Sequence, residues 1–274
     1  MRIIVCVKQV PETDKITTNS KTHTLERDKA ASILNPYDSY ALEAALQIKE
    51  QCSSSDQCHI TVITMGPLQA ESILRNCLAV GCDEVYLING KEFAGSDTLA
   101  TSYILSTFIR YLEQKNQEPF SLIFCGKQAI DGDTAQVGPA LAEHLGIGQI
   151  TNVLNVQTLD SSIVAIKETA LGYDKYETNY PCLMTFTKAP RELRYPSIKN
   201  KLKAKKAVIE TLTPESVSGL LNLDRCGLAG SPTKVKSAAR ITTEKNTIFL
   251  SEKDGLFSSE TLFHTIHQLL KSEK

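Results

Sequence analysis

Most of the features that place a chain in a class at a glance are missing from these 274 residues. There is no excess of charge: 30 Lys and Arg face 31 Asp and Glu, so neither nucleic acid nor an anionic membrane is suggested as a partner. Any electrostatic recognition must be local. The eight cysteines include no CxxC pair and several sit inside apolar runs, which reads as small buried hydrophobes in a reducing compartment rather than a disulfide or zinc framework. No apolar run is long enough to cross a membrane, and the first, residues 3 to 7, is too short for a secretory signal, so a cytoplasmic location is expected. Gly-Lys-Ser/Thr and GxGxxG are both absent, which excludes the two commonest phosphate-loop motifs. Nor does a catalytic constellation stand out. Asp131 and Asp133 lie two apart with no histidine or third carboxylate joining them nearby, and His264 and His267 lie three apart with no third ligand, so no metal site is expected.

What is present is 42% hydrophobic content, enough for a real core, in short apolar runs that alternate with amphipathic stretches. Residues 2 to 7, 58 to 65, 85 to 88 and 120 to 125 run apolar without alternation, as strands buried on both faces do. Helices are expected from Pro36 to about residue 50 with Asn35 as cap, from Gly66-Pro67 to Gly81, and over 98 to 115 with Ser96 or Asp97 as cap. Strands alternating with helices at this spacing predict an α/β fold, a mostly parallel sheet with helices on both faces and ligands at the carboxyl ends of its strands. Residues 150 to 186 then change character. Runs at 153 to 158, 163 to 170 and 173 to 178 alternate or are β-branched, predicting an antiparallel elaboration before a last core strand at 182 to 186. The expected domains are 1 to 206 and a C-terminal arm, 207 to 274, that carries an amphipathic helix over 258 to 272 with Ser259 as cap. A turn is expected at 19 to 23.

The chain is organised around residues 120 to 147, FSLIFCGKQAIDGDTAQVGPALAEHLGI. An apolar strand breaks at Gly126 into a polar turn and then into an amphipathic helix backed by Leu141, Leu145 and Ile147, with Asp131 or Asp133 as cap and Pro139 within its first turn or so. Unpaired N–H groups and the positive end of a helix dipole meet at such a junction and stabilise an anionic phosphate. On these grounds alone the stretch is either a nucleotide turn or a plain strand-to-helix connection.

Residues 126 to 139, GKQAIDGDTAQVGP, resemble the nucleotide-binding signature of the electron-transfer flavoprotein β subunit, and the Gly-Asp-Thr-Ala-Gln-Val-Gly-Pro form resembles its flavin-bifurcating branch. Similar family blocks stand at 3 to 11, 35 to 38, 64 to 85, 93 to 102 and 194 to 206, so the resemblance covers residues 1 to 236 in order. It implies FAD in this chain, where simpler members hold AMP. That FAD is expected to accept a hydride from NADH, sending one electron to an FAD on the α subunit of the heterodimer and on to an acyl-CoA or related dehydrogenase, and the other to ferredoxin or flavodoxin. The flavin carries the redox chemistry, so no catalytic residue is assigned. The binding residues implied are Cys6, Lys8, Asn35, Asp38 and Met65, then Asp97, Thr98, Thr101 and Ser102 near the pyrophosphate, and Gln128, Asp131, Asp133, Thr134, Gln136, Val137 and Gly138 from the signature. Without the family, Lys8 reads equally as a solvated lysine and Asn35 as a helix cap. The resemblance also implies that residues 188 to 206 dock on the dehydrogenase through Tyr195 and Ile198, although the sequence departs from the usual pattern at 191 to 193, and five lysines between 199 and 206 would otherwise read as a solvated face. The arm is expected to wrap the α subunit. Two other readings stay open: a non-bifurcating flavoprotein subunit with structural AMP, or a stand-alone adenine-nucleotide-binding module, stable and monomeric with no exposed apolar arm at 207 to 236.

Overall fold

In the computed structural model, which describes residues 1–12, 32–52, 58–234, 262–264 and 266–267, the first apolar run forms β1 (Arg2–Cys6), buried throughout. Its exit leads into a small antiparallel pair, β2 (Gln9–Pro11) with β3 (Ser32–Leu34). Pro36 then opens α1 (Pro36–Gln51), at a position where a missing N–H breaks no helical bond. There follow β4 (His59–Met65), α2 (Glu71–Val80), ended by Gly81 at φ 125°, and β5 (Glu84–Ile88). Asp97 caps α3 (Thr98–Asn116), which returns the chain to β6 (Leu122–Gly126), and α4 (Val137–Leu145) comes after the signature loop. The remaining elements are β7 (Gly148–Thr158), β8 (Ser162–Thr169), β9 (Gly172–Asn179), β10 (Cys182–Phe186), α5 (Ile198–Lys206) and β11 (Glu210–Leu212).

Among the described residues nine of these strands form one sheet in the order β11-β5-β4-β1-β6-β10-β7-β8-β9. It is parallel from β11 through β7, with the antiparallel wing β7-β8-β9 at one side, which is the α/β arrangement expected. From β1 the chain winds outward through β4 and β5, then returns to place β6 and β10 on the other flank. The strand order therefore reverses between β1 and β6, and the crevice at such a switch point is where doubly wound sheets take ligands.

Successive strand residues point to opposite faces, and each face is covered by a helix pair. Ile3 and Val5 face Ala41, Leu42 and Ala45 of α1 and Ile73 and Leu74 of α2, in one core. Ile4 and Cys6 belong to the other, with Ile104, Phe108 and Ile109 of α3 and Leu141 of α4. Each buried aliphatic side chain contributes about 2 kcal/mol, so the two cores fix the strand ends from which the site loops leave.

By compactness the chain divides into Met1–Lys234 and Val235–Lys274. The first part of the expected arm packs with the sheet: β11 extends it on β5, and Leu212, Val217 and Cys226 are buried in the α3-side core. The lysine-rich run, read as a solvated face, folds as α5, capped by the Ser197 hydroxyl, which accepts from the Asn200 N–H. The turn expected at 19 to 23 lies outside the described residues, as does most of the helix expected at 258 to 272, of which residues 262–264 and 266–267 are helical. Among the described residues no helix is long and apolar enough to cross a membrane.

Candidate nucleotide site

The carboxyl ends of β1 and β6 open into a cleft of about 320 Å³, walled by the loop 126–138 on one side and the start of α3 on the other. Its floor is apolar: Cys6, Val7, Met65, Leu105 and Cys125 line it. Its rim is polar, with Lys8, Thr98, Thr101, Gln128, Asp133, Thr134 and Gln136.

Beneath the loop, α1 supplies two buried braces. Asp38 accepts from the backbone N–H of Lys8 at 2.7 Å and of Gly126 at 3.1 Å, which ties the ends of the two switch-point strands together. Burial pushes its carboxyl up to about 7, against the opposing pull of Asn35, Lys8 and Gly126. Asn35, fully buried, donates from Nδ2 to the Gln128 carbonyl at 2.8 Å and accepts at Oδ1 from the Ile130 N–H at 3.2 Å. It begins α1 without a side-chain capping bond, contrary to its expected role as a cap, because an amide has the donor and acceptor that the loop backbone requires. Glycine is required at 126, where a Cβ would stand 2.3 Å from Asp38 Oδ1.

Asp131 and Asp133 do not cap α4 either. The helix starts at Val137, after Gln136, and the two carboxylates lie too far upstream. Asp131 instead accepts from Lys8 Nζ at 2.8 Å, and Asp133 from Gln128 Nε2 at 2.7 Å. Asp133 and Ala135 hold positive φ, 51° and 54°, a conformation that is unfavourable for residues with a side chain and that a folded chain keeps only where the surroundings enforce it. Alternating signs of φ turn successive N–H groups toward one side, forming an anion-binding concavity. Among the described residues no acceptor meets the N–H of Thr134, Ala135, Gln136, Val137 or Gly138. The last two open α4, so its dipole adds to the row. Gly138 seats this helix against β10, since a Cβ would stand 2.4 Å from Thr185 Cγ2.

The opposite wall is the α3 N-terminus. Asp97 Oδ1 accepts from Leu99 and Ala100 N–H, both at 3.0 Å, while Oδ2 accepts from the Thr233 N–H at 2.9 Å and hydroxyl at 2.7 Å. Desolvation would raise the Asp97 carboxyl, but the bonds from Ala100, Thr233 and Leu99 outweigh it and hold the group below its usual value. The Asp97 N–H is bound by Ser231 Oγ at 2.8 Å. Thr98 Oγ1 donates to Gln136 Oε1 at 2.9 Å and joins the two walls.

Of the residues expected at the site, Cys6, Lys8, Asp38, Met65, Asp97, Thr98, Thr101, Gln128, Asp133, Thr134, Gln136, Val137 and Gly138 line the cleft. Asn35 lies under its loop and Asp131 at its edge, paired with Lys8. Ser102 does not line it: the side chain is fully buried and its hydroxyl donates to the Leu99 carbonyl at 2.9 Å. Sequence reasoning missed Val7, Ser96, Leu105 and Ala135 on the lining, and Ser231 and Thr233 behind Asp97. Position at a strand's carboxyl end could have found Val7. No local pattern points to Thr233. Tyr195 and Ile198 are distant in sequence and almost fully exposed, at 97% and 81%.

An apolar floor beside a row of N–H donors suits a nucleotide, and Gly132, where a Cβ would meet nothing within 4 Å, leaves the loop open to close approach. Fold and cleft together define a doubly wound α/β protein with a nucleotide-type crevice. The electron transfer flavoprotein domain matches residues 22–217. Protein FixA of Bradyrhizobium diazoefficiens is 43% identical over 239 residues, 86% of this chain and 81% of the relative. The electron transfer flavoprotein subunit beta of Megasphaera elsdenii is 43% identical over 237 residues, 86% of each chain. The caffeyl-CoA reductase-Etf complex subunit CarD of Acetobacterium woodii is 40% identical over 235 residues, again 86% of each. This chain belongs to the electron transfer flavoprotein family, with β subunits among its relatives.

Proposed function

We propose that this chain is the β subunit of a heterodimeric, electron-bifurcating flavoprotein and holds FAD in the cleft. The observation that carries the proposal is the meeting of two helix N-termini across one cleft, α3 and α4, joined by the Thr98–Gln136 bond. The α4 terminus, with its row of free N–H groups, suits one phosphate. At α3 the Leu99 and Ala100 N–H groups are taken by Asp97, so a second phosphate would rest on the threonine hydroxyls of that wall, and the two walls together suit a diphosphate better than the single phosphate of AMP. When bound, FAD would take a hydride from NADH and part with the electrons singly, one toward the α subunit's FAD and a dehydrogenase, the other toward ferredoxin or flavodoxin. Thr134 to Gly138 would donate N–H groups to one phosphate, and the Thr101 hydroxyl to the other, joined by Thr98 once its hydroxyl leaves Gln136. Lys8 would exchange Asp131 for the ligand's charge. Asn35 and Asp38 fix the loop on which the row of donors stands.

A stand-alone module fits less well, because Val208, Leu220, Leu223 and Leu228 are exposed in the stretch expected to meet an α subunit. Tyr195 and Ile198 are the side chains we assign to docking on an acyl-CoA or related dehydrogenase. CarD, by its name, is a subunit of a caffeyl-CoA reductase-Etf complex, which supports a partner of this kind, while the choice of side chains rests on their exposure. The test is coupling. Purified with its α subunit and a dehydrogenase it reduces, the protein should pass electrons from NADH to ferredoxin only while the dehydrogenase turns over. Ferredoxin reduction that is absent, or that proceeds without the dehydrogenase, contradicts bifurcation.

A further inference from the structure

The segment from Leu193 to Ile209 is pinned at both ends and exposed in the middle. Leu193 and Ile209 pack against the α1-side core. Just inside the first, Arg194 is locked to α1: its backbone N–H and Nε donate to Glu43 Oε2 at 3.1 and 3.0 Å, Nη2 donates to Glu43 Oε1 at 2.8 Å, and Nη1 reaches Glu50. The Glu43 side chain is only 2% exposed. At the other end Arg75 of α2, paired with Glu71, donates to the carbonyls of Ala204, Lys205 and Ala207 at 2.8, 3.0 and 3.0 Å and closes the C-terminus of α5. Between these clamps Tyr195, Ile198 and Leu202 stand out at 97%, 81% and 59% exposure, and Ile198 and Leu202, four apart, share one helix face. Lys199, Lys201, Lys203, Lys205 and Lys206 surround that stripe, with no acidic residue among them.

Resting on the docking role proposed above for Tyr195 and Ile198, we infer that Arg194 is a positioning residue for the redox partner, setting the apolar stripe through Glu43 of α1 and, with Arg75, ordering it before the partner arrives. Glu43 lies on the helix whose first turns also brace the nucleotide loop through Asn35 and Asp38, so one element holds both the cofactor cleft and the docking stripe. The surface that fits is an apolar socket ringed by carboxylates. Held by a fork of bonds to a buried carboxylate, the stripe loses less freedom on binding than a free loop would, and that lowers the cost of association without altering the chemistry.

The test uses the complete complex of this chain with its α subunit, and a short-chain acyl-CoA dehydrogenase that the wild-type complex reduces. Arg194→Lys keeps a charge beside Glu43 but loses the fork, and should raise the KM for the flavoprotein about tenfold. The kcat and the flavin content should stay unmoved, a split that general damage to the fold would not give. Ile198→Ala should raise KM as well, and the double variant should lose less than the product of the two single effects, because both act on one contact. If Ile198→Ala raises KM and Arg194→Lys does not, or if the two effects simply multiply, the positioning role is wrong while docking stands. If Ile198→Ala has no effect, the docking role itself fails. Should Arg194→Lys not fold, Arg75→Gln at the far clamp carries the test: a raised KM with full flavin content supports the inference, and an unchanged KM overturns it.

Discussion

The floor and the rim of the cleft are both held by carboxylates, and they are held differently. At the floor, Asp38 is 5% exposed and meets two backbone N–H groups. At the rim, Asp131 meets Lys8 with side chains 31% and 50% exposed. A buried carboxylate that satisfies backbone donors fixes the chain, because leaving those donors unsatisfied is costly. An exposed ion pair contributes little and exchanges partners easily. The floor therefore sets where the loop stands, and the rim is free to trade one anion for another.

That contrast can be broken most forcefully at the floor. Asp38→Ala leaves the Lys8 and Gly126 N–H groups without acceptors and should cost about 3 kcal/mol in urea unfolding, with bound nucleotide lost on purification. Gly138→Ala tests the seat of α4 and not the floor itself: a methyl 2.4 Å from Thr185 Cγ2 must push the helix outward, for about 2 kcal/mol and a weaker hold on nucleotide. A third consequence concerns pH. Folding raises the Asp38 carboxyl from 3.8 to about 7, so the folded chain holds this proton more tightly than the unfolded one. Its contribution to stability is fully present below pH 3.8 and is lost as pH rises toward 7. Asp38→Asn should flatten that part of the profile, read as the difference in unfolding midpoint between variant and wild type across the window. The smallest effect on stability belongs to the rim. Lys8→Ala should cost less than about 1 kcal/mol in unfolding yet weaken nucleotide binding in a salt-dependent way. A large stability loss at Lys8, or none at Asp38, would reverse the comparison.

Much of this architecture was legible from local pattern. Unbroken apolar runs marked β1, β4 and β6, Asp97 was readable as a cap, and Gly81 as a helix stop, since each depends on residues near in sequence. What was not legible depends on distant partners. Asn35 read as a cap because Asn before Pro usually is one, yet its amide serves the backbone of Gln128 and Ile130. Asp131 and Asp133 read as caps of α4 because acids before a helix often are, but Lys8 and Gln128 claim them. Charge pattern hid α5, whose ends are fixed by Arg194 and Arg75, and the hold of Thr233 on Asp97 spans 136 residues. The row of N–H donors was foreseeable as a helix start; the positive φ values at Asp133 and Ala135 that aim it were not.

The central claim, that the α4 terminus and the threonine wall of α3 receive a diphosphate, is tested most directly by counting nucleotides. The chain would be co-expressed with its α subunit, the purified complex denatured, and the released nucleotides separated and measured by absorbance. The account predicts two FAD for each heterodimer. One FAD with one AMP would leave the family intact and contradict the reading of Thr98, Thr101 and residues 134–138 as a diphosphate cradle.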